Sequence, residues 1–485
     1  MFGRLRSPIL ATAICLPLIA SLAPQRAAAQ RVAVDSVQWF VGNWQGALRV
    51  SGLVLRLGFT FTVDSAGRPA GTLTSIDQGG VKLPVTVTVH ADSIRAESAP
   101  ARAVFTGRMV GADSIDGAWS QGGQSFPLGL RCVAAVTVAR RPQEPKPPFP
   151  YRQEEVTFAS APGVTMAGTL TIPQGTGPYP AVVLVTGSGA QDRDEELLGH
   201  KPFAVLADHL TRRGIAVLCY DDRGVGRSTG RFADATSGDF ADDALAAVRY
   251  LATRREVSPR KIGIAGHSEG GMIAPMVAVR SPEVAFLVLL AGTGVPGDSI
   301  LKMQGRLLAR AAGLSPEMIA LSGRAQSRMY AAVREGGDST AMRARLRQIG
   351  AEMWAGMTEE QRRASQMTPA AMEANVLQLS GPWFRYFLTY DPRPTLRRVR
   401  VPVLALNGSL DLQVPPKEDL AAIAAALREG GNRDVRTIEL PGLNHLFQTA
   451  TTGAPSEYAV IEETMSPAAL NAVSSWILER FGPAR

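Results

Sequence analysis

The chain has 485 residues, more than one ordinary domain contains, so we expect two or three domains. Hydrophobic residues make up 45% of it and charged residues 19%, a composition that excludes a disordered chain and can fill a large core. The net charge is +8, but the basic residues are scattered and form no stripe with interleaved aromatic residues. Nucleic-acid binding therefore has little support, and we expect a solvated surface of mixed charge.

The first 29 residues have the three parts of a secretory signal peptide. Arg4 and Arg6 form a short basic start, residues 9–20 are mostly apolar, and the small residues 27–29 offer a cleavage site. An uncleaved membrane anchor is the weaker alternative, because the apolar run is short and prolines interrupt it. We predict cleavage after Ala29 and export to the periplasm or the medium. No later run is long and apolar enough to predict a membrane span.

Residues 31–140 show the alternation that is typical of half-buried strands. From Leu53 to Val63 the odd positions are Leu, Phe or Val, and Val85, Val87 and Val89 alternate with polar residues. Glycine and aspartate turn signals separate such runs. The segment is predicted to be an antiparallel β domain, either a small barrel or a β-sandwich.

Residues 141–150 are rich in proline and predict a stiff connector at a domain boundary. From residue 151 to 485, apolar strand candidates alternate with amphipathic helical stretches, which indicates an α/β domain with a mostly parallel sheet covered on both faces. The predicted strands are residues 180–186, 215–221, 261–266, 284–291, 401–407 and 435–440, and the predicted helices are residues 202–213, 240–254, 270–280, 417–427 and 467–480. Between residues 295 and 400 no strand is evident, so we expect an inserted helical cap.

The pattern G-x-S-x-G occurs twice, around Ser228 and around Ser268. A nucleophilic serine must lie on a sharp turn between a strand and a helix, which exposes its hydroxyl at the edge of the sheet. Ser268 directly follows a predicted strand and opens a predicted helix, whereas Ser228 lies in a glycine-rich loop. We therefore predict that Ser268 is the nucleophile.

The base and the acid follow from chain order, since in folds of this type the serine precedes the acid and the acid precedes the histidine. His445 is the only histidine after Ser268, and it comes just after the last predicted strand. Candidates for the acid are Asp298, Asp338, Asp391, Asp411, Asp419 and Asp434. We prefer Asp411, because it follows a core strand after a short turn and can there hold the histidine in the correct tautomer.

An oxyanion hole needs two backbone N–H groups aimed at the developing negative charge. We assign one to Glu269, the residue after the nucleophile, and the other to Ser188, whose flanking glycines allow close backbone approach. A plain tight turn is the alternative for Ser188. In the cap, Trp383, Phe384 and Tyr386 are candidates for an acyl pocket, although packing against a core is the more common fate of such residues.

Five blocks of the sequence occur in an order that is familiar. They are TGSGAQDRDE at 186–195, YDDRGVGRS at 220–228, GHSEGG at 266–271, WFRYFLTYDP at 383–392 and LNGSLDLQVP at 406–415. Together they resemble the EstD-type bacterial esterases of the α/β-hydrolase superfamily, over residues 150–485. The resemblance implies a carboxylic ester hydrolase, usually of short acyl chains, with Ser268, Asp411 and His445 as its triad.

We therefore predict a serine carboxylic ester hydrolase that acts on small-molecule esters through an acyl-enzyme. Five histidines and three cysteines form no zinc motif, and we expect neither a metal nor an organic cofactor. The alternatives are a serine peptidase of the prolyl-oligopeptidase type and an acyltransferase or thioesterase, which use the same triad. Prolyl-oligopeptidases carry a propeller domain, and residues 31–140 are too few to build one. A non-catalytic protein that binds an apolar ligand is a more distant alternative.

Overall fold

The computed structural model of the chain describes residues 39–50, 53–365 and 369–482, which form two β-sheets with helices around the second. The predicted signal peptide, residues 1–29, lies outside the described residues, and its cleavage stays a prediction. None of the helices within the described ranges has the length and hydropathy that crossing a bilayer requires.

The N-terminal sheet is antiparallel and closes on itself. Its strands are β1 (Gly42–Val50), β2 (Leu53–Val63), β3 (Pro69–Ser75), β4 (Val81–His90), β5 (Ser93–Ser98), β6 (Ala103–Gly111), β7 (Ser114–Gln121), β8 (Gln124–Pro127) and β9 (Leu130–Val133). Closure comes from the pairing of β6 with β7, β7 with β9 and β9 with β1, while β8 extends from β7 as a hairpin. Of the two architectures that the alternation left open, the structure has the barrel.

Aromatic side chains fill the interior of this barrel. Trp44, Phe59, Phe61 and Phe105 are at most 2% exposed, and the rings of Phe59 and Phe61 stack with their centroids 5.4 Å apart. Phe59 and Phe61 come from the alternating run in β2, and both lie in the interior of the barrel, as the alternation predicted. Each such side chain removes roughly 150–250 Å² from water, so hydrophobic burial is the main source of the barrel's stability.

The second sheet has eight strands. In spatial order they are β10 (Arg152–Ala161), β11 (Val164–Ile172), β13 (Ala216–Tyr220), β12 (Tyr179–Val185), β14 (Val257–His267), β15 (Val284–Leu290), β16 (Val403–Gly408) and β17 (Val435–Leu440). The last six in this order pair in parallel, and β10 and β11 are antiparallel to their neighbours. The sequence predicted the six parallel strands and missed the β10–β11 hairpin.

Helices cover both faces of this sheet. One face carries α1 (Pro202–Arg212) and α12 (Pro467–Phe481), and the other carries α2 (Ser237–Ala252), α3 (Glu269–Ala278) and α11 (Pro416–Glu429). Helix α2 begins with a capping box, in which Thr236 and Asp239 satisfy each other's backbone N–H groups. With its strand order and covering helices, the domain has the α/β-hydrolase fold that the sequence predicted.

The chain between β15 and β16 forms a helical cap, as predicted. Its helices are α4 (Gly297–Ala311), α5 (Pro316–Glu335), α6 (Ser339–Ala355), α7 (Glu359–Ser365), α8 (Pro369–Leu379), α9 (Pro382–Thr389) and α10 (Pro392–Leu396). The cap has its own apolar cluster, in which five methionines of its described residues are buried: Met318, Met329, Met342, Met353 and Met357. Flexible methionine side chains suit the irregular gaps between short helices.

The connector after the barrel is fastened to the second domain. The guanidinium of Arg141 donates to the carbonyl oxygens of Leu198, Ala459 and Ile461 at 3.0, 2.9 and 2.9 Å. The side-chain amide of Gln143 donates to one backbone carbonyl and accepts from two backbone N–H groups within residues 464–465. The connector therefore holds two loops of the catalytic domain in place.

Replacing Arg141 with alanine should lower the free energy of unfolding by about 1–3 kcal/mol, because it removes a half-buried cation with three hydrogen bonds to the catalytic domain. Urea denaturation followed by tryptophan fluorescence measures this change. Arg140→Ala is the matched control, because that side chain is 85% exposed in its ion pair with Glu462. We expect the control to change stability by less than about 0.5 kcal/mol. Equal losses in both variants would contradict the role of Arg141.

Candidate active site

Ser268 lies at the turn between β14 and α3, at the carboxyl edge of the sheet. Its backbone has φ 52° and ψ −114°, a strained conformation for a residue with a side chain. Two glycines make the turn possible. A Cβ on Gly266 would lie 2.0 Å from the carbonyl oxygen of Gly270, and a Cβ on Gly270 would lie 2.1 Å from that of Val185. The turn therefore has the geometry of a nucleophile elbow.

His445 and Asp411 lie on the loops that follow β17 and β16, at the same edge of the sheet. Nδ1 of His445 is 2.8 Å from Oδ2 of Asp411, and both side chains are buried. The other carboxylate oxygen, Oδ1, accepts from the backbone N–H groups of Gln413 and Val414 at 2.7 and 2.8 Å. Because the carboxylate accepts the Nδ1 proton, the imidazole is left with Nε2 as its basic atom.

The residue before the nucleophile links Ser268 to the histidine loop. Nε2 of His267 is 3.1 Å from the carbonyl oxygen of His445, and the two imidazole rings have their centroids 4.8 Å apart. The structure therefore places the His445–Asp411 pair beside the residue that precedes Ser268, although these residues are far apart in the chain.

The hydroxyl of the other serine candidate, Ser228, is occupied by hydrogen bonds to the backbone. The hydroxyl of Ser228 donates to the carbonyl oxygen of Asp221 at 2.7 Å and accepts from the backbone N–H of Ala167 at 2.9 Å. Ser228 is also buried, and no helix begins after it at the carboxyl edge of a strand. It thus joins a loop to β11.

The other aspartate candidates also have contacts of their own. Asp338 and Asp391 cap the first turns of α6 and α10, and Asp298 pairs with Arg334 and Lys302 in the cap. Asp434 pairs with Arg480, and Asp419 in α11 accepts from the backbone N–H of Gly294 at 2.7 Å. Asp411, in contrast, contacts the ring of His445.

Both segments that were predicted to form the oxyanion hole border the nucleophile. Glu269 is the first residue of α3, where backbone N–H groups have no acceptor within the helix. On the other side, a Cβ on Gly187 would lie 3.3 Å from the Cβ of Ser268, so this loop packs against the elbow. Ser188 follows Gly187 directly, and Gly189 after it has φ 110°.

The three aromatic residues of α9 have different surroundings. Phe384 is 1% exposed and packs against Tyr330 inside the cap, so its predicted place in an acyl pocket is corrected to one in the cap core. Tyr386 stacks on Tyr390, with the ring centroids 5.8 Å apart. Of the three, Trp383 is the one next to the nucleophile, because its Nε1 donates to Oε1 of Glu269 at 2.8 Å.

Glu269 is a buried carboxyl group in contact with the cap. Its Oε1 also accepts from the hydroxyl of Ser237 at 2.6 Å, so one oxygen joins α2, α3 and α9. Burial raises the pKa of Glu269 from 4.5 to about 7, against the opposing effect of these two hydrogen bonds.

The buried Glu269 predicts a pH-dependent effect of Glu269→Gln on stability. Between pH 4.5 and about 7 the folded wild type keeps this proton while the unfolded chain loses it, so wild-type stability falls across that window. Glutamine keeps the shape and an accepting oxygen but does not ionise. The free energy of unfolding of Glu269→Gln, measured relative to that of wild type, should therefore rise by up to about 3 kcal/mol between pH 5 and pH 8.

Chemical denaturation at the two pH values measures this gain. Glu479→Gln is the control, since that carboxylate is 60% exposed at the end of α12 and should give the same small difference at both values. A Glu269→Gln effect that does not change with pH would contradict the prediction.

A buried glutamate that the sequence analysis missed lies beside this site. Oε1 of Glu195 is 2.9 Å from Nδ1 of His267 and accepts from the backbone N–H of Gly187 at 2.7 Å. Glu195 is 4% exposed. A signal was present, because Glu195 ends the block at 186–195, but three further acidic residues adjoin it within 192–196. In the described ranges of the chain, no group of three or more His, Cys, Asp or Glu residues is arranged to hold a metal ion.

The elbow and the buried histidine–aspartate pair occupy the edge where this fold performs acyl transfer, which defines the class as serine hydrolases of the α/β-hydrolase type. The sequence profile of the X-Pro dipeptidyl-peptidase family (S15) matches residues 162–437, more than half of the chain. The protein belongs to this family.

Individual relatives agree with the class. Esterase EstD of Thermotoga maritima is 27% identical over 313 residues, which are 64% of this chain and 64% of that protein. This match confirms the predicted resemblance, and the matched part of the chain spans slightly less than two thirds of that relative. The thiohydrolase ApmlB of Arthrinium phaeospermum is 31% identical over 144 residues, 30% of this chain and 44% of that protein. Among solved structures, an esterase of Pyrococcus furiosus is 15% identical with a TM-score of 0.43, over 69% of this chain and 92% of that one.

Proposed function

We propose that the protein is a carboxylic ester hydrolase that cleaves small-molecule esters with short acyl chains. The observation that carries the proposal is the hydrogen bond between His445 Nδ1 and Asp411 Oδ2, next to the elbow at Ser268. It leaves Nε2 of the imidazole as the base that a serine nucleophile needs. The relative that aligns with the longest part of the chain, of those named above, is called an esterase, which supports ester over amide cleavage.

The reaction has two halves. In the first, His445 takes the hydroxyl proton as Oγ of Ser268 attacks the ester carbonyl, and the backbone N–H groups of Glu269 and Ser188 stabilise the oxyanion. His445 then protonates the departing alcohol, which leaves an acyl-enzyme. In the second half, the same imidazole activates water, the acid product leaves, and Ser268 regains its proton.

A serine peptidase is the second candidate, because the family is described as one of X-Pro dipeptidyl-peptidases. A thioesterase is the third, since one relative is a thiohydrolase. The three activities are distinguished by the rates at which the protein hydrolyses p-nitrophenyl butyrate, an X-Pro p-nitroanilide and a butyryl thioester at one concentration. The ester should be turned over fastest, and faster release of p-nitroaniline would favour the peptidase.

Ser268→Ala should abolish ester hydrolysis, with a loss of at least about a thousandfold in kcat, because no acyl-enzyme can form. Hydrolysis of p-nitrophenyl butyrate measures the rate, and labelling by a fluorophosphonate measures the reactive hydroxyl. Ser228→Ala is the matched control from the other G-x-S-x-G pattern. It should keep its turnover and lose some stability, because two hydrogen bonds in the loop are removed. Undiminished turnover by the Ser268→Ala variant would refute the assignment.

Trp383→Ala should change the preference for acyl length, because Trp383 contacts both Glu269 and the apolar cluster of the cap. We expect the ratio of kcat/KM for octanoate over butyrate esters to change by about tenfold, as the removal of a large aromatic side chain enlarges the space beside the elbow. Trp354→Ala is the control, since Trp354 lies in α6 under Arg362, with the guanidinium carbon 5.7 Å from the ring centroid. The same ratio in both variants would assign Trp383 to packing alone.

A further inference from the structure

We propose that Glu195 and His267 form a buried positioning pair that holds the oxyanion loop and the catalytic histidine around Ser268. The proposal rests on the acyl-transfer function proposed above and adds two residues to the apparatus that positions the reacting groups. Neither residue belongs to the triad, and neither is assigned to the oxyanion hole.

The pair joins three separate segments of the chain. Oε1 of Glu195 accepts from the backbone N–H of Gly187, in the loop after β12, and contacts Nδ1 of His267, the last residue of β14. On the other side of the imidazole, Nε2 contacts the carbonyl oxygen of His445, in the loop after β17. These segments carry one side of the proposed oxyanion hole, the nucleophile and the base.

The partners of the ring define its charge. A carbonyl oxygen can only accept, so Nε2 of His267 must carry a proton, and an ionised carboxylate at Nδ1 requires a second proton. Burial lowers the pKa of His267, but the attraction of Glu195 and its hydrogen bond outweigh this effect and raise the pKa overall, with a smaller contribution from Asp411. The other titratable group packed against this ring is His445. The hydrogen bonds of the ring and the raised pKa of His267 together favour a ring that is protonated on both nitrogens.

The surroundings of Glu195 indicate that the pair positions the reacting groups rather than stabilises the fold. Its backbone has φ 53°, and its Oε2 is buried without a hydrogen-bond partner. A buried ion pair is a weak source of stability, and one with an unsatisfied oxygen is weaker still. Strained backbone is retained where the geometry serves a site. Here the geometry places the Gly187 backbone against Ser268.

The test measures kcat and KM for p-nitrophenyl butyrate in Glu195→Gln and Glu195→Ala, per active site titrated with a fluorophosphonate. The amide oxygen of the glutamine can still accept from the backbone N–H of Gly187, but the amide has no negative charge to balance a protonated His267 ring. We expect kcat to fall about 10–100-fold, more in the alanine variant, while KM changes by less than about twofold, because small displacements of reacting groups are costly in rate. Normalising to titrated sites separates this effect from a loss of folded protein.

His209→Gln is the matched control. His209 lies on α1, with Nε2 3.0 Å from the hydroxyl of Ser474 on α12, and should keep its kcat within about twofold. A kcat per titrated site within twofold of wild type in both Glu195 variants would overturn the proposal, even if their melting temperatures fell. If wild type itself is not labelled at Ser268, the proposed function fails instead.

A second measurement does not depend on the folding of any variant. In wild-type protein with ¹⁵N-labelled histidine, the His267 ring should show protons on both nitrogens at pH 7.5, and its signals are identified by their loss in His267→Gln. If that variant does not fold, nuclear Overhauser contacts to Phe447, 6.4 Å from the ring, identify the same signals. A neutral His267 ring would contradict the ion pair and overturn the proposal.

Discussion

The sharp turn after β14 is the constraint on which the catalytic edge depends. The backbone of Ser268 lies in a region that costs about 1–3 kcal/mol for a residue with a side chain, and such strain persists only when the surroundings determine it. Here the backbone N–H of Ser268 donates to the carbonyl oxygen of Leu290 at 2.8 Å, so the pairing of β14 with β15 continues up to the nucleophile. On the other side, the carbonyl oxygen of Val185 at the end of β12 leaves no room for a Cβ at Gly270. Because the turn is fixed from both sides, the hydroxyl has a defined place to which the other groups can be fitted.

The parallel sheet supplies those groups. Parallel strands end at the same edge, so residues far apart in the chain meet in space once their strands are neighbours. Strands β12, β14, β16 and β17 each contribute one loop to the site, and the cap inserted between β15 and β16 reaches back to it through Trp383. The contact with Glu269 is made by a carboxyl oxygen that also binds the start of α2. Helices α2 and α9 are thus joined to the start of α3, beside Ser268, through one shared oxygen of Glu269.

The sequence predicted what depends on local pattern. Strands buried on both faces appear as continuous apolar runs, so the six parallel strands were found. The β10 strand lies at the sheet edge and begins with exposed charged residues, so it does not form a continuous apolar run in the sequence. Alternation in residues 53–63 showed which side chains point inward, but closure into a barrel depends on the pairing of β1 with β9, about 90 residues later in the chain. Ser268 was predicted from its place between a strand and a helix, and Asp411 and His445 from chain order. The contacts of Glu195 with two distant loops, and the face of α9 that buries Phe384, depend on tertiary structure.

The barrel reaches the catalytic edge through its outer surface, since aromatic rings fill its interior. Leu55 on its wall packs with Leu446 and Tyr458 of the catalytic domain, and Leu446 is the residue after His445. The hydroxyl of Tyr458 in turn accepts from the side-chain amide of Gln413, whose backbone N–H binds Asp411.

The loop at residues 457–465, which includes Tyr458, is also held by contacts within the catalytic domain. Both ring nitrogens of His200 contact it, one at the hydroxyl of Thr464 and the other at the carbonyl oxygen of Tyr458. Burial lowers the pKa of His200 to about 4, so the ring is neutral at physiological pH and adds no charge beside the triad. Loop 457–465 is therefore held by Arg141 of the connector on one side and by a neutral imidazole on the other. Because Tyr458 of this loop contacts Gln413, whose backbone N–H donates to Asp411, an unbroken chain of contacts joins the barrel and its connector to Asp411.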